Sequence, residues 1–295
     1  MAVRERRAVL LVSFVASLGA CISLEGLRGG EEIDSLVDAS PETAAPAEDG
    51  SVSDGADEPS ASPADRYREA ILADRPLAYW RLDETSGTTA KDEKGAHPGV
   101  YELAPTLGST GIFGTPGAVE LPSATNAHVR IPGTDFSFGG VASYSVELWV
   151  KPKAFHSFDW LVSTEVTPPR LGWSVLVGET GEVLYEVWRP NDAGGPEVRS
   201  LSSKKSLVLD RFQHVVVTYN GAMMRVYIDG KLDNANPAPR DAPDDGVLLL
   251  GCRRNADGTV SGCVDGWTLD EVAIYDFPLT DTQVFAHYEA GKPRT

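Results

Sequence analysis

Residues 213–231 read Gln213-His-Val-Val-Val-Thr-Tyr219-Asn220-Gly221-Ala-Met223-Met-Arg-Val-Tyr-Ile228-Asp229-Gly230-Lys231. Two β-branched and aromatic runs, His214–Tyr219 and Met223–Ile228, flank Asn220-Gly221. That pair between two such runs is a strong hairpin signal, because a type I′ turn needs positive φ at both central residues. Asp229-Gly230 supplies a second tight turn directly after. On a strand Val215, Val217 and Tyr219 point one way, and His214, Val216 and Thr218 point the other. Both faces are largely apolar, which places the hairpin in the middle of a sheet with a second sheet over it. A Val at position 220 is expected to destabilise such a turn, since β-branched residues resist positive φ.

The 295 residues carry a net charge of −17, unevenly distributed. Residues 22–65 hold twelve acids against Arg28 alone, whereas over 66–295 thirty acids face 22 basic residues, a net of −8. No basic patch stands out, and an acidic surface repels phosphate backbones, so nucleic acid is not an expected partner. Arg4, Arg6 and Arg7 precede the apolar run 8–20, too short to span a bilayer comfortably but suited to a signal-peptide core. The run ends Leu18-Gly19-Ala20-Cys21, which resembles the lipobox of bacterial lipoproteins. The resemblance implies a signal peptide over 1–20, acylation of Cys21 and a membrane anchor. Ile22, a residue other than aspartate, resembles the outer-membrane sorting pattern. Cleavage after Ala20 without acylation is the other reading. Residues 21–65 are rich in Ala, Ser, Pro, Asp and Glu and lack aromatics, so they are expected to form a disordered tether. As a relaxed coil it would span roughly 35–40 Å.

From residue 66 onward, short β-rich runs alternate with Gly, Pro, Asn and Asp. They are 118–121, 127–131, 144–151, 160–164, 171–177, 183–188, 197–200, 247–250 and 269–275, besides the hairpin. This pattern predicts one all-β, two-sheet antiparallel sandwich over 66–295. A short helix is predicted over 66–73 with Asp65 as N-cap. Another follows Leu279, with a Thr280/Gln283 capping box, Gly291 at its C-cap, and Val284, Phe285 and Tyr288 on an apolar face that closes one end of the sandwich.

Four motifs in order carry a family resemblance. They are Tyr79-Trp-Arg-Leu-Asp-Glu84-Thr-Ser-Gly87 followed by Asp92, Tyr144-Ser-Val-Glu147-Leu-Trp149-Val-Lys-Pro152, Phe212-Gln-His-Val215 continuing to Tyr227-Ile-Asp-Gly230, and Leu269-Asp270-Glu-Val-Ala-Ile-Tyr275. Together they resemble laminin-G-like jelly-roll domains of the concanavalin A-like lectin/glucanase superfamily. The resemblance implies a jelly roll with one concave sheet and no particular activity, because the fold hosts many. It also implies a structural calcium ion, for which Glu84, Asp92 and Asp270 are the candidate ligands; the same acids could instead cap turns. Calcium takes six to eight oxygens, more than three side chains supply.

Cys252 and Cys263 flank ten residues that could return on themselves, and in an exported chain they are expected to form a disulfide. Glycosidases of the superfamily alternate acids along one strand as Glu-x-Asp-x-Glu, and no such triplet occurs. Asp270 and Glu271, being adjacent, are expected on opposite faces of a strand. An enzyme is therefore not expected. A binding surface has better candidates: Glu147 with Trp149, and Glu186 with Trp188, each two apart on a strand and so on one face. Indoles stack on the C–H faces of sugars and carboxylates accept from hydroxyls, so the four residues could form a saccharide platform; alternatively both tryptophans belong to the core. The sequence thus predicts a cell-envelope lipoprotein, on the outer membrane or cell surface, with a non-catalytic domain that binds a glycan. A structural or adhesion module for a surface protein is the second reading, and a glycoside hydrolase the third.

Overall fold

The computed structural model describes residues 61–139, 142–238 and 246–292. The expected signal peptide, Cys21 and residues 22–60 of the tether lie outside them. Two eight-stranded sheets make up most of the described chain, and all their pairings are antiparallel. The first runs Lys231–Pro237, Met223–Ile228, Gln213–Tyr219, Tyr144–Lys151, Trp267–Tyr275, Gly114–Leu121, Thr106–Gly111, with Ala78–Trp80 also pairing Trp267–Tyr275. The second runs Pro196–Ser206, Glu182–Pro190, Gly172–Gly178, Phe158–Ser163, Leu248–Leu250, His128–Ile131, Gly99–Glu102, Thr89–Ala90. A small three-stranded patch, Val260–Ser261, Arg253–Asn255 and Val166–Thr167, is separate from both.

The hairpin of residues 213–228 lies inside the first sheet, as its two apolar faces require. Val215, Val217 and Tyr219 enter the core between the sheets, beside Val146, Leu148 and Val150 of the neighbouring strand and opposite Trp173, Val175 and Tyr185 of the second sheet. Burying these large side chains contributes about 1.5–3 kcal/mol each. The turn chemistry differs from expectation. Asn220 keeps negative φ; only Gly221 is left-handed, and Asn220 Oδ1 accepts from Ala222 N and Met223 N at 3.1 and 2.8 Å. The type I′ turn is the second one. Asp229 (φ 50°) and Gly230 (φ 75°) form a two-residue loop between the paired Ile228 and Lys231.

The other face of the first sheet is covered by helices, so the architecture has a third layer. Helix α1 (Pro63–Ala73) starts earlier than the sequence suggested, with Ser62 as N-cap and Pro63 in its first turn. Residues 62–65 thus belong to the folded unit and not to a tether, because a Ser cap followed by Pro is a stronger start signal than Asp65. Helix α2 (Asp281–Gly291) has the predicted capping box. It does not close the end of the sandwich; it packs beside α1 on the sheet, burying Val284, His287 and Gly291 and leaving Phe285 exposed. Gly291 is the last helical residue. Its role is close approach, since a Cβ there would meet Tyr67 at 2.8 Å and Trp149 at 2.9 Å. Tyr67 and Ile71 of α1 with Val284 of α2 meet Tyr79, Trp149, Val216, Tyr227 and Tyr275 of the sheet in a second apolar cluster.

Candidate ligand-binding face on the second sheet

The outer face of the second sheet has no helix over it among the described residues, and it holds the second Glu-x-Trp pair. Along Glu182–Pro190, Val183, Tyr185 and Val187 are buried in the core while Glu182, Leu184, Glu186 and Trp188 are half-buried on the other side. The alternation is the strand period made visible. Trp188 Nε1 donates to Glu186 Oε2 at 3.0 Å, so the two act as one unit. Gly172 is paired opposite Trp188 on the neighbouring strand. Burial holds the Glu186 carboxyl above the usual carboxylate range, against the indole N–H and the Arg170 charge.

Glu165 organises this site. Its carboxylate is fully buried and accepts from Arg170 Nε (2.8 Å), Thr167 Oγ1 (3.0 Å), Trp160 Nε1 (3.2 Å), Ser174 Oγ (3.3 Å) and Arg253 Nη1 (3.3 Å). The two guanidinium groups are therefore fixed. Arg170 lies 3.6 Å over the Trp188 ring and Arg253 4.5 Å over the Trp160 ring. Between them is a hollow of about 180 Å³, lined by Phe158, Trp160, Arg170, Leu176, Glu186 and Arg253. Phe158 is 50% exposed at its mouth, 5.9 Å from the Trp160 ring. One cavity thus offers an aromatic edge, an aliphatic wall, two cationic donors and a carboxylate. The predicted disulfide is present, with Cys252 and Cys263 bonded at 2.04 Å. It precedes Arg253, and Gly262 beside it packs against Trp160, where a Cβ would meet the ring at 2.1 Å.

The first Glu-x-Trp pair lies on the other sheet, on the face that carries the helices. Glu147 and Trp149 share a face as their spacing demands, but that face lies under α1 and α2, and they are 0% and 1% exposed. Glu147 Oε1 accepts from His214 Nε2 (2.7 Å) and Tyr67 Oη (3.3 Å); Oε2 accepts from His287 Nδ1 (2.9 Å) and Tyr275 Oη (3.0 Å). Burial pushes this carboxyl up, but the His287 charge and the imidazole hydrogen bonds outweigh it and hold it well below the usual range. His287 is raised in turn, against its burial, by Glu147 and by Asp74, whose Oδ2 is 3.0 Å from Nε2. Trp149 Nε1 donates to Tyr67 Oη at 3.1 Å.

Glu84, Asp92 and Asp270 do not converge, and among the described residues no group of three His, Cys, Asp or Glu side chains is arranged to hold a metal ion. Asp92 accepts from four backbone amides, those of Tyr79, Lys94, Ala96 and His97, and so ties its own loop. Glu84 accepts from Lys91 N and Tyr101 Oη, both at 2.7 Å. Asp270 is buried and accepts from Ile112 N at 2.8 Å. The three carboxylates are spent on separate turns and strands, so no step is assigned to calcium.

Asp270 and Glu271 also depart from the simple alternation. The register shifts between Asp270 and Ala273, and Glu271 takes φ 54° in the resulting bulge. Both carboxyls end up buried, Asp270 paired opposite Trp149 and Glu271 bonded to Tyr79 Oη and 3.6 Å from Arg81 Nε. Desolvation raises both, Glu271 to about 8. Phe158, Trp160, Glu165, Arg170 and Arg253 were not singled out from the sequence. Phe158-x-Trp160 has the same i, i+2 spacing as the two Glu-x-Trp pairs and was the available signal; Glu165, Arg170 and Arg253 come from loops and a short strand whose approach only the fold reveals.

The chain is thus a two-sheet antiparallel sandwich with a polar, arginine-bearing hollow on one open sheet face. A profile of the concanavalin A-like lectin/glucanases superfamily, of the laminin-G type, matches residues 123–285, more than half of the chain. The chain belongs to that superfamily. No curated protein matches it by sequence. Among solved structures, the binding domain of Paraclostridial Mosquitocidal Protein 1 is similar with a TM-score of 0.55 at 14% identity, over 72% of this chain and 51% of that one. The botulinum neurotoxin serotype D binding domain aligns with a TM-score of 0.54 at 13% identity, over 73% and 52%. The serotype D ligand-binding domain in complex with N-acetylneuraminic acid gives 0.54 at 14%, over 75% and 52%. The chain spans about half the length of these structures, and at such identities the likeness is one of fold.

Proposed function

We propose that this protein is a non-catalytic saccharide-binding module, and that its site is the hollow beside Trp188. The observation that carries this reading is the pair of guanidinium groups stacked on Trp188 and Trp160 and tied to one buried carboxylate, Glu165, with Phe158 half-exposed beside them. A sugar ring presents C–H faces and hydroxyls together, and it needs an apolar wall flanked by fixed donors and acceptors. Glu186 supplies acceptors; Arg170 and Arg253 supply donors. The site costs little to organise on binding, because its charged side chains are already held. The solved serotype D domain with bound N-acetylneuraminic acid supports a sugar as ligand for a sandwich of this kind.

The module is carried on a lipoprotein. Acyl chains on Cys21 anchor it to the cell envelope, at the outer membrane or cell surface, and residues 22–60 space the sandwich from the lipid. More than one acyl chain makes such anchoring stable. Radiolabelled palmitate incorporated by the wild-type chain and lost in Cys21→Ala tests the anchor; equal labelling of both defeats it. A glycan array probed with the full chain, in calcium and again in EDTA, tests the site. Binding in both buffers is expected, since among the described residues the lining of the hollow includes a single carboxylate, Glu186. Absence of binding in either buffer would leave a protein-interaction module as the better reading.

A further inference from the structure

The Cys252–Cys263 bond has one sheltered end and one open end. Cys252 is fully buried, whereas Cys263 lines a hollow of about 410 Å³ together with His156, Phe158, Asp159 and Gly262. This is not the hollow beside Trp188, although Phe158 lines both. The backbone around Cys263 is tied to the second sheet: Trp160 N donates to the Gly262 carbonyl at 3.0 Å, and Trp160 forms an isolated bridge with Cys263. The sulfur at the open end is thus held at the hollow.

A histidine with a fixed ring accompanies that sulfur. The His156 side chain is 49% exposed, but Asp159, only 1% exposed, sets its orientation. Asp159 Oδ2 accepts from the His156 backbone N–H at 2.9 Å, and Oδ1 lies 3.1 Å from Nδ1. A carboxylate only accepts, so Nδ1 carries the proton and Nε2 is the basic nitrogen. Nε2 has no partner among the described residues. No Lys or Arg lines the hollow among the described residues, so a thiol entering it has His156 to take its proton and to stabilise the thiolate. At the sheltered end, Cys252 Sγ is 3.7 Å from the Asn126 carbonyl oxygen and 4.0 Å from that of Ala127. Two acceptors suit a neutral S–H there and disfavour a thiolate.

We infer that this hollow is a thiol–disulfide exchange site whose substrate is an external dithiol. The first thiol gives its proton to His156 Nε2, and the thiolate attacks Cys263 Sγ, the end of the bond that the hollow opens to. The S–S bond breaks and its electron pair leaves on Cys252, which takes a proton from solvent where two carbonyl oxygens can accept from the new S–H. The second thiol then attacks the sulfur of the first, which is now joined to Cys263, and releases Cys263. The dithiol is oxidised to its disulfide by two electrons, and Cys252 and Cys263 end as thiols with one proton each. The inference does not depend on what the hollow beside Trp188 binds.

The test is reduction of the full chain in native buffer at neutral pH, followed by alkylation and peptide mass mapping of Cys252 and Cys263. Two reductants are compared: dithiothreitol, which must lose a proton to attack, and tris(hydroxypropyl)phosphine, which need not. The dithiothreitol rate is expected to rise in proportion to its concentration. His156→Gln is expected to slow it at least about tenfold and to leave the phosphine rate unchanged. With β-mercaptoethanol, a monothiol, the trapped adduct is expected on Cys263, with Cys252 free for alkylation. A dithiothreitol rate that levels off at the unfolding rate overturns the inference, since the bond is then reached only through opening of the fold. His156→Gln that slows both reductants alike also overturns it, because the histidine then governs access and not proton transfer. So does an unchanged dithiothreitol rate in that variant, or an adduct on Cys252. The concentration dependence and the adduct position use the wild-type chain, so they decide even if His156→Gln fails to fold.

Discussion

Glu147 and His287 meet 2.9 Å apart where the first sheet and helix α2 join, both inaccessible to solvent. The carboxylate also receives His214, Tyr67 and Tyr275, so four donors from two helices and two strands converge on one side chain. The contact explains why Glu147-x-Trp149 is part of the scaffold: its polar groups are fully paired inside the sheet–helix layer. Removing one member of such a buried pair leaves its partners charged or unsatisfied.

Glu147→Gln is therefore expected to destabilise the fold by about 3 kcal/mol, read as a lower urea midpoint at pH 6. The pH dependence follows from the shifts. The folded carboxyl titrates below its usual 4.5, so its contribution is present above pH 4.5 and is lost as pH falls through the depressed value. His287 is raised above 6.5, so its share is complete below that pH and is lost as pH rises through the raised value. Urea midpoints measured from pH 3 to 7 should fall at the acid end in the wild type and flatten in Glu147→Gln. Parallel curves for the two proteins would mean the carboxylate is not the titrating group.

Glu271 has the opposite sign. With a folded value of about 8 against an ordinary 4.5, its neutral form is favoured by folding. The stabilisation is complete below pH 4.5 and is lost as pH rises through about 8. Glu271→Gln keeps the neutral shape, so it should melt near the wild-type temperature at pH 5 and above it at pH 9. A melting difference that does not change between these pH values would refute the assignment.

How far the sequence carries can be judged from single residues. The β period placed Val215, Val217 and Tyr219 in the core and Glu186 beside Trp188, because alternation is local and the strands are regular. Thr280 and Gln283 announced a helix start for the same reason. The same period could not say which face of the Tyr144–Lys151 strand meets a helix layer, since that depends on where residues more than a hundred positions later return. It also failed at Asp270-Glu271, where the bulge adds a residue and both carboxyls are buried. The Arg170, Arg253 and Glu165 cluster joins segments 88 residues apart through Arg253 and Glu165, a contact that no spacing rule encodes.

The turn residues separate in the same way. Gly230 is left-handed, and a Cβ there would meet Tyr288 Cβ at 2.7 Å, with backbone strain added. Gly230→Ala should cost about 2 kcal/mol or more, combining positive φ with overpacking. Asn220→Val removes an acceptor for two amides from a turn that needs no positive φ at that position, so about 1 kcal/mol is expected. Chemical denaturation of the two variants checks the order. If Asn220→Val were the more damaging, the positive-φ requirement would lie at the first turn after all.

The disulfide closes the loop that carries Arg253 beside the hollow on the second sheet. A closed loop of about a dozen residues is stabilised by about 3 kcal/mol in the chain-entropy account. The Cys252→Ser, Cys263→Ser double variant is expected to lose stability of that order in urea. It should also lose glycan affinity at temperatures where it remains folded, because Arg253 is released from its place over Trp160. Wild-type affinity in the folded double variant would show that Arg253 keeps its place over Trp160 without the bond.

Trp149 and Trp188 differ most in what their removal should do. Trp149 is buried under α1 and α2 and donates to Tyr67, so Trp149→Ala should cost about 3–5 kcal/mol of stability through cavity formation. Any remaining folded protein should bind glycan as the wild type does. Trp188 is half-buried on the open face, where its ring supports Arg170 and its N–H orients Glu186. Trp188→Ala should lower the melting temperature little and weaken glycan binding about tenfold, the scale of one desolvated cation–π contact. Titration and thermal melting of the two variants side by side decide the matter. If Trp149→Ala lost binding while Trp188→Ala retained it, the ligand would have to lie on the helix-covered side, and the site on the second sheet would fall.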